Sequence, residues 1–263
     1  MKGGTAVATL FIVACIIGCS PGTSSGKGIS LTIFAAASLE PALEKVVDAY
    51  STVNPGVVLT ISTDSSAALE AKIEQGARAD IFLSADTSNP QKLVDAGLAA
   101  GDPVPFARNG LAVIVPTANP AGVASPIDLA KPGLKIIAAH GSVPISKYAA
   151  QLVANLARLP GYPAGFATAY AANIASEEDN VAGIVSKIEL GEGDAGIVYA
   201  TDARTSTKIR MVDVPLSANV PATYAGVVVT ATPNQPAAEA LLSWLTSADG
   251  RAVFAEFGFL PPG

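Results

Sequence analysis

The sequence predicts an α/β protein whose sheets are mainly parallel and covered by helices on both faces. Three observations predict it: short β-like runs alternate with amphipathic helix patterns, half of the 263 residues are hydrophobic, and only 14% are charged. Such a chain has enough apolar surface for a large buried core, and its length suits two small domains.

The strands are read, in order, from "SLTIFAA" (30–36), "VVLTIST" (57–63), "ADIFLSA" (79–85), "GLAVIVP" (110–116), "LKIIAA" (134–139), "AGIVYA" (195–200), "IRMVDV" (209–214) and "YAGVVVT" (224–230). Helical periodicity marks the segments between and after them: 39–53, 67–76, 89–98, 146–159, 181–193 and one long run, 236–258. Gly76 and Gly191 close two of these as left-handed C-caps. Trp244, Phe254, Phe257 and Phe259 read as core packing of the last helix.

The first residues differ in kind. Lys2 precedes an apolar run from Thr5 to Ile17, shorter than the ~20 residues that span a bilayer, and this is the pattern of an export signal. "IIGC" ends it, and "SPGTSSGKG" follows Cys19 as a solvated tether. The end of the leader resembles a bacterial lipobox, which implies residues 1–18 as signal peptide, acylation at Cys19 and a tether over 19–28. The alternative is an ordinary secretory signal cleaved near Gly18. "IVAC" at Ile12–Cys15 also fits the box, but apolar residues follow Cys15. Both cysteines lie in this leader, so the exported domain has no thiolate and no disulfide framework.

A net charge of −6 and the lack of any basic run exclude a nucleic-acid partner. An anionic ligand would have to be held by local donors. Three junctions offer them: "FAAAS" before "LEPALEK", "STDSS" before "AALEAKI", and "AAHGSVPISKYAAQL". Each follows a β run and opens a helix, where unpaired N–H groups and the positive end of the helix dipole make an anion site. Ser38 and Ser66 add hydroxyls. Either serine could instead be an N-cap.

Four motifs, "LTIFAAASL", "SSAALEAKIEQGARADIFLSAD", "EEDNVAGIVSKIELGEGDAGIVYATDA" and "GRAVFAEFGF", occur in one order from about residue 29 to the C-terminus. In them the chain resembles the periplasmic molybdate-binding proteins. The resemblance implies a two-lobed type II periplasmic-binding-protein fold with a two-strand hinge, with lobe I at 29–108 plus 214–263 and lobe II at 109–213. It implies a monomer, held on the outer face of the cell membrane by a lipid anchor at Cys19, that captures molybdate or tungstate and delivers it to an ABC permease. Ser38 and Ser66 would then give hydroxyl and backbone donors, Ile145 and Val181 backbone N–H groups, and Tyr199 its phenol. The metal is bound only as its oxyanion, with no protein ligand to it and no cofactor. Two positions depart from the pattern: "VPIS" replaces a turn of small residues at Ile145, and Asp64 precedes the serine pair. Asp64 either caps the local turn or faces the ligand as a selectivity residue that would favour a protonated oxyanion.

Molybdate is a tetrahedral dianion without a proton at neutral pH, so all its oxygens only accept, and an all-donor pocket suits it. Phosphate, which keeps a proton near neutrality, and sulfate are the alternative ligands. One histidine, His140, no free cysteine and no Ser–His–acid spacing argue against an enzyme. His140 itself reads as a turn residue rather than a metal ligand.

Overall fold

The computed structural model describes residues 1, 3, 4 and 28–263. The lipidation cysteines, the apolar run of the leader and the tether up to residue 27 lie outside the described residues. Among those described, no helix is long and apolar enough to cross a membrane.

Two five-stranded sheets form the frame. The first contains β1 (Ile29–Ala36), β2 (Val57–Asp64), β3 (Ile81–Ser84), β4 (Ala99–Asn109) and β10 (Ala222–Val229), in the order β2-β1-β3-β10-β4. The second contains β5 (Leu111–Pro116), β6 (Ile136–Ala139), β7 (Ile174–Glu178), β8 (Ala195–Tyr199) and β9 (Ile209–Val212), in the order β7-β6-β8-β5-β9. In each sheet one strand runs against the other four: β10 in the first, β5 in the second. These two follow the two passages of the chain between sheets, at Asn109–Leu111 and through 213–221. Asn219 joins the passages: its Oδ1 accepts from Leu111 N–H at 2.9 Å and its Nδ2 donates to Leu111 O at 2.9 Å.

The helices are α1 (Glu40–Val53), α2 (Ser66–Glu74), α3 (Ser88–Asp95), α4 (Pro144–Leu156), α5 (Phe166–Ala172), α6 (Val181–Glu189), α7 (Gln235–Thr246) and α8 (Ala248–Glu256). The amphipathic α1 buries Leu43, Val46 and Tyr50, and the buried Leu31 and Ile33 of β1 belong to the same apolar core. That core is continuous into the second sheet through Val113, Ile136 and Ile197. Gly76 and Gly191 take positive φ, 89° and 71°, and close α2 and α6 as the sequence indicates.

Four parts of the fold differ from the sequence reading. β4 carries Pro103 and Pro105 and has β10 as its one neighbouring strand in the sheet, at the edge where a missing N–H is tolerated. The edge strand β7 and the short α5 were not read as elements. The long terminal helix is two helices, broken at Ser247, whose hydroxyl accepts from Gly250 N–H at 3.2 Å and so caps α8.

Register decides where the site lies. Ala36 pairs with Asp64 and Ala35 with Leu83, so β1, β2 and β3 end side by side. Ala139 pairs with Glu178 and Ile137 with Gly196, so β6, β7 and β8 end together too. Each row of carboxyl ends feeds a set of helix N-termini, and the two rows meet.

Candidate functional site

Where they meet is a small pocket, lined by Ala36, Ala37, Ser38, Asp64, Ser65, Ser66 and Ala85 from the first sheet's side. Val143, Pro144, Ile145, Asn180, Val181 and Tyr199 close it from the other. Ser38, Ser66, Ile145, Val181 and Tyr199, widely separated in sequence, all line it, and so does Asp64. None of the lining residues is Lys or Arg.

The serine pair divides two tasks between neighbours. Ser65 is the N-cap of α2, its Oγ accepting from Ala68 N–H at 3.2 Å. Ser66, 1% exposed, accepts instead from Ala85 N–H at 3.0 Å, which leaves its own hydroxyl proton unspent. Ser38 is no cap either. It sits in a 3-10 turn, Ala37–Leu39, between β1 and α1, and its Oγ lies 2.8 Å from Tyr224 Oη.

The second wall supplies backbone donors. Val181 is the first residue of α6, and the N-cap Asn180 uses its Oδ1 to satisfy Gly183 N–H at 3.1 Å, further along the turn. Ile145 follows Pro144 at the start of α4, whose N-cap, Val143, has no side-chain acceptor. Both N–H groups belong to first turns, which lack an i−4 carbonyl partner. They point with the helix dipoles towards the place where negative charge is best held.

Tyr199, at the end of β8, is 2% exposed, and its Oη is buried without a hydrogen-bond partner. Burial foremost, then the neighbouring Tyr224, Tyr148, Asp202 and Asp86, push its phenol well above the ordinary range. It therefore keeps its proton at any working pH and stands ready to donate. A buried hydroxyl without a partner costs about 1–3 kcal/mol, a cost that a ligand oxygen in the cavity would remove.

Asp64 has a protein partner on each oxygen. Its Oδ1 accepts from Ser65 N–H at 2.8 Å and from Asn180 Nδ2 at 3.4 Å, across the cavity, while Oδ2 pairs with Lys72 at 2.9 Å. Burial works against its charge, but the hydrogen bonds from Lys72, Ser65 and Asn180, with the lysine's charge, hold the carboxyl below its usual range. His140, half-exposed after β6, has Nδ1 3.4 Å from Glu177 and Nε2 3.7 Å from Asp179. Among the described residues no group of three or more His, Cys, Asp and Glu could hold a metal ion.

Sequence reasoning missed the polar residues behind the cavity. Tyr224, Asn109 and Asp202 are buried, and Asp202 accepts from Tyr199 N–H at 3.2 Å. Tyr148, Tyr199 and Tyr224 form an edge-to-face row with centroids 6.3 and 5.5 Å apart. Only the Asn-Gly pair at 109–110 marked a place where the chain changes direction.

Two sheets with a small donor-lined cavity between their helix N-termini define a cleft receptor for a small solute. Residues 31–260 match the family described as bacterial extracellular solute-binding protein, and the chain belongs to that family, whose members are non-enzymatic components of transport systems. It is 32% identical to the molybdate-binding protein ModA of Mycobacterium tuberculosis over 98% of this chain and 97% of that one. Among solved structures, it is similar to the periplasmic molybdate-binding protein of Azotobacter vinelandii, with a TM-score of 0.74 and 23% identity over 89% of this chain and all of the other. It is similar also to the sulfate-binding protein SubI of M. tuberculosis, with a TM-score of 0.78 and 21% identity over 89% and 87% of the two chains. These structures share the type II periplasmic-binding-protein fold.

Proposed function

We propose that this protein captures molybdate, and by the same chemistry tungstate, in the cavity between its two sheets and presents it to an ABC permease. The observation that carries this is the buried, partnerless phenol of Tyr199 in a cavity where Ser66 also has a free hydroxyl proton and two helix N-termini offer backbone N–H groups. Every one of these groups donates. The one carboxylate in the wall, Asp64, is already held by Lys72 and its own loop. Such a lining favours an oxyanion with no proton of its own, bound through its oxygens with no protein atom on the metal. Ser38, Ser66, Ile145, Val181 and Tyr199 are the donors in this scheme. The identity to the M. tuberculosis molybdate-binding protein supports the choice of ligand.

The lobes are 29–108 with 214–263, and 109–213, and a ligand touching both holds them together by contacts that neither lobe makes alone. Export and acylation at Cys19 place the monomeric receptor on the outer face of the cell membrane. Calorimetric titration of the mature chain with molybdate, tungstate, sulfate and phosphate tests the assignment: the first two bind at least tenfold more tightly than the others. Tighter binding of sulfate or phosphate would replace molybdate as the cargo.

A further inference from the structure

Ser38 Oγ and Tyr224 Oη lie 2.8 Å apart, both buried, and a hydrogen bond between two hydroxyls needs only one of their two protons. Which proton it uses decides what Ser38 offers to the cavity. The answer comes from the far side of Tyr224. Asn109 Nδ2 donates to Thr201 Oγ1 at 2.8 Å and to Tyr224 Oη at 3.4 Å. Asn109 is 0% exposed, and its Oδ1 has no partner. The opposite orientation of the amide would orphan the NH₂ group instead, and a buried N–H without an acceptor is the rarer and costlier defect. With Asn109 donating to it, Tyr224 has its own proton for Ser38. Ser38 Oγ then accepts, and its proton is left for the cavity whose wall it forms.

We propose that Tyr224, backed by Asn109, is a positioning and specificity-determining residue: it fixes the Ser38 hydroxyl as an obligate donor, so that the site accepts oxyanions without a proton and rejects those that carry one. The chain of donation runs in one direction, Asn109 to Tyr224 to Ser38 to ligand oxygen, and each bond polarises the next. A hydrogen phosphate presenting its O–H at Ser38 meets a proton head-on. For Ser38 to turn its proton away, Tyr224 would have to turn as well, and the Asn109 N–H blocks that. Asp64 is held away from that role, its oxygens already accepting from Ser65, Lys72 and Asn180.

This inference rests on the oxyanion function proposed above, and the experiment separates the two. Molybdate and phosphate are titrated calorimetrically into the wild type, Tyr224→Phe, Ser38→Ala, the double variant and Asn109→Asp, at mildly alkaline pH where phosphate is a dianion with one proton. Equal ligand charge makes the molybdate-to-phosphate ratio a measure of proton polarity rather than of net repulsion. Tyr224→Phe should weaken molybdate roughly 3–10-fold, the effect of freeing one rotor that had been set in advance. In the Ser38→Ala background the same change should cost less than about twofold, since nothing remains to be positioned. Asn109→Asp gives Tyr224 an acceptor, reverses the chain so that Ser38 presents lone pairs, and should shrink the preference for molybdate at least tenfold. Apo melting temperatures of all variants confirm folding. A wild type that binds no oxyanion sinks the function itself. A wild type that binds molybdate, with Tyr224→Phe costing as much in the Ser38→Ala background as alone, or with an unchanged ratio in Asn109→Asp, overturns the positioning role and leaves the function standing.

Discussion

Tyr199→Phe separates ligand binding from folding, because the structure gives the two effects opposite signs. The substitution removes one oxygen and keeps the ring, whose edge contacts with Tyr148 and Tyr224 are 6.3 and 5.5 Å between centroids. That oxygen is buried and partnerless in the free protein. Removing it relieves a desolvation cost of about 1–3 kcal/mol, so the apo variant should be more stable than the wild type. For a chain of this size each kcal/mol moves the melting temperature by roughly 2–4 °C, and a rise of several degrees is expected. With ligand present the sign reverses. A hydrogen bond to a charged acceptor contributes about 1.5–3 kcal/mol net, so the affinity for molybdate should fall about 10–150-fold. The assay is a pair of melting curves, with and without saturating molybdate, and one titration. An apo variant less stable than the wild type, with an unchanged dissociation constant, would show that the phenol serves the protein and not the ligand.

Three further outcomes are expected. Asp64→Asn keeps an acceptor for Ser65 N–H and gives up only the Lys72 pair, which is partly exposed; stability should change by no more than about 1 kcal/mol, and the preference for molybdate over phosphate in a paired titration should stay as it is. Burial raises the Asp202 carboxyl to about 7, only partly offset by the N–H of Tyr199. The folded protein thus keeps a proton that the unfolded chain has released above about pH 4, so this group's contribution to stability is full below that pH. It falls by about 1.4 kcal/mol per pH unit up to about pH 7, and Asp202→Asn should remove that decline in denaturant melts taken across the range. Cys19→Ser should move the protein from the membrane fraction to the soluble one on cell fractionation, and Cys15→Ser should not; the reverse pattern would move the anchor to Cys15.

The frame was legible because both of its periods are strong. Buried strands such as β3, with all four residues inside, read as mainly apolar runs, and helices such as α1 carry their apolar stripe in the sequence. β4 was hidden by two prolines that only an edge position tolerates, and β7 by the exposed and acidic residues of "IASEE". In the site, the elbows were visible, but their division of labour was not. Nothing in "DSSAA" says that Ser65 caps the helix while Ser66 turns to Ala85; that depends on β3 ending beside β1. Tyr224 carries no local signal and Asn109 only that of the Asn-Gly turn, because their partners lie 186 and 92 residues away and only the folded chain brings them together.

The central claim, that an oxyanion is held by its oxygens alone in this cavity, is tested most directly by the anomalous scattering of molybdenum in crystals grown with molybdate. A single peak is expected between Ser38, Ser66, Ile145, Val181 and Tyr199, with ligand oxygens about 2.7–3.1 Å from their donors and no protein atom bonded to the metal. A peak outside the cavity, or one with a protein side chain directly coordinating molybdenum, would contradict it.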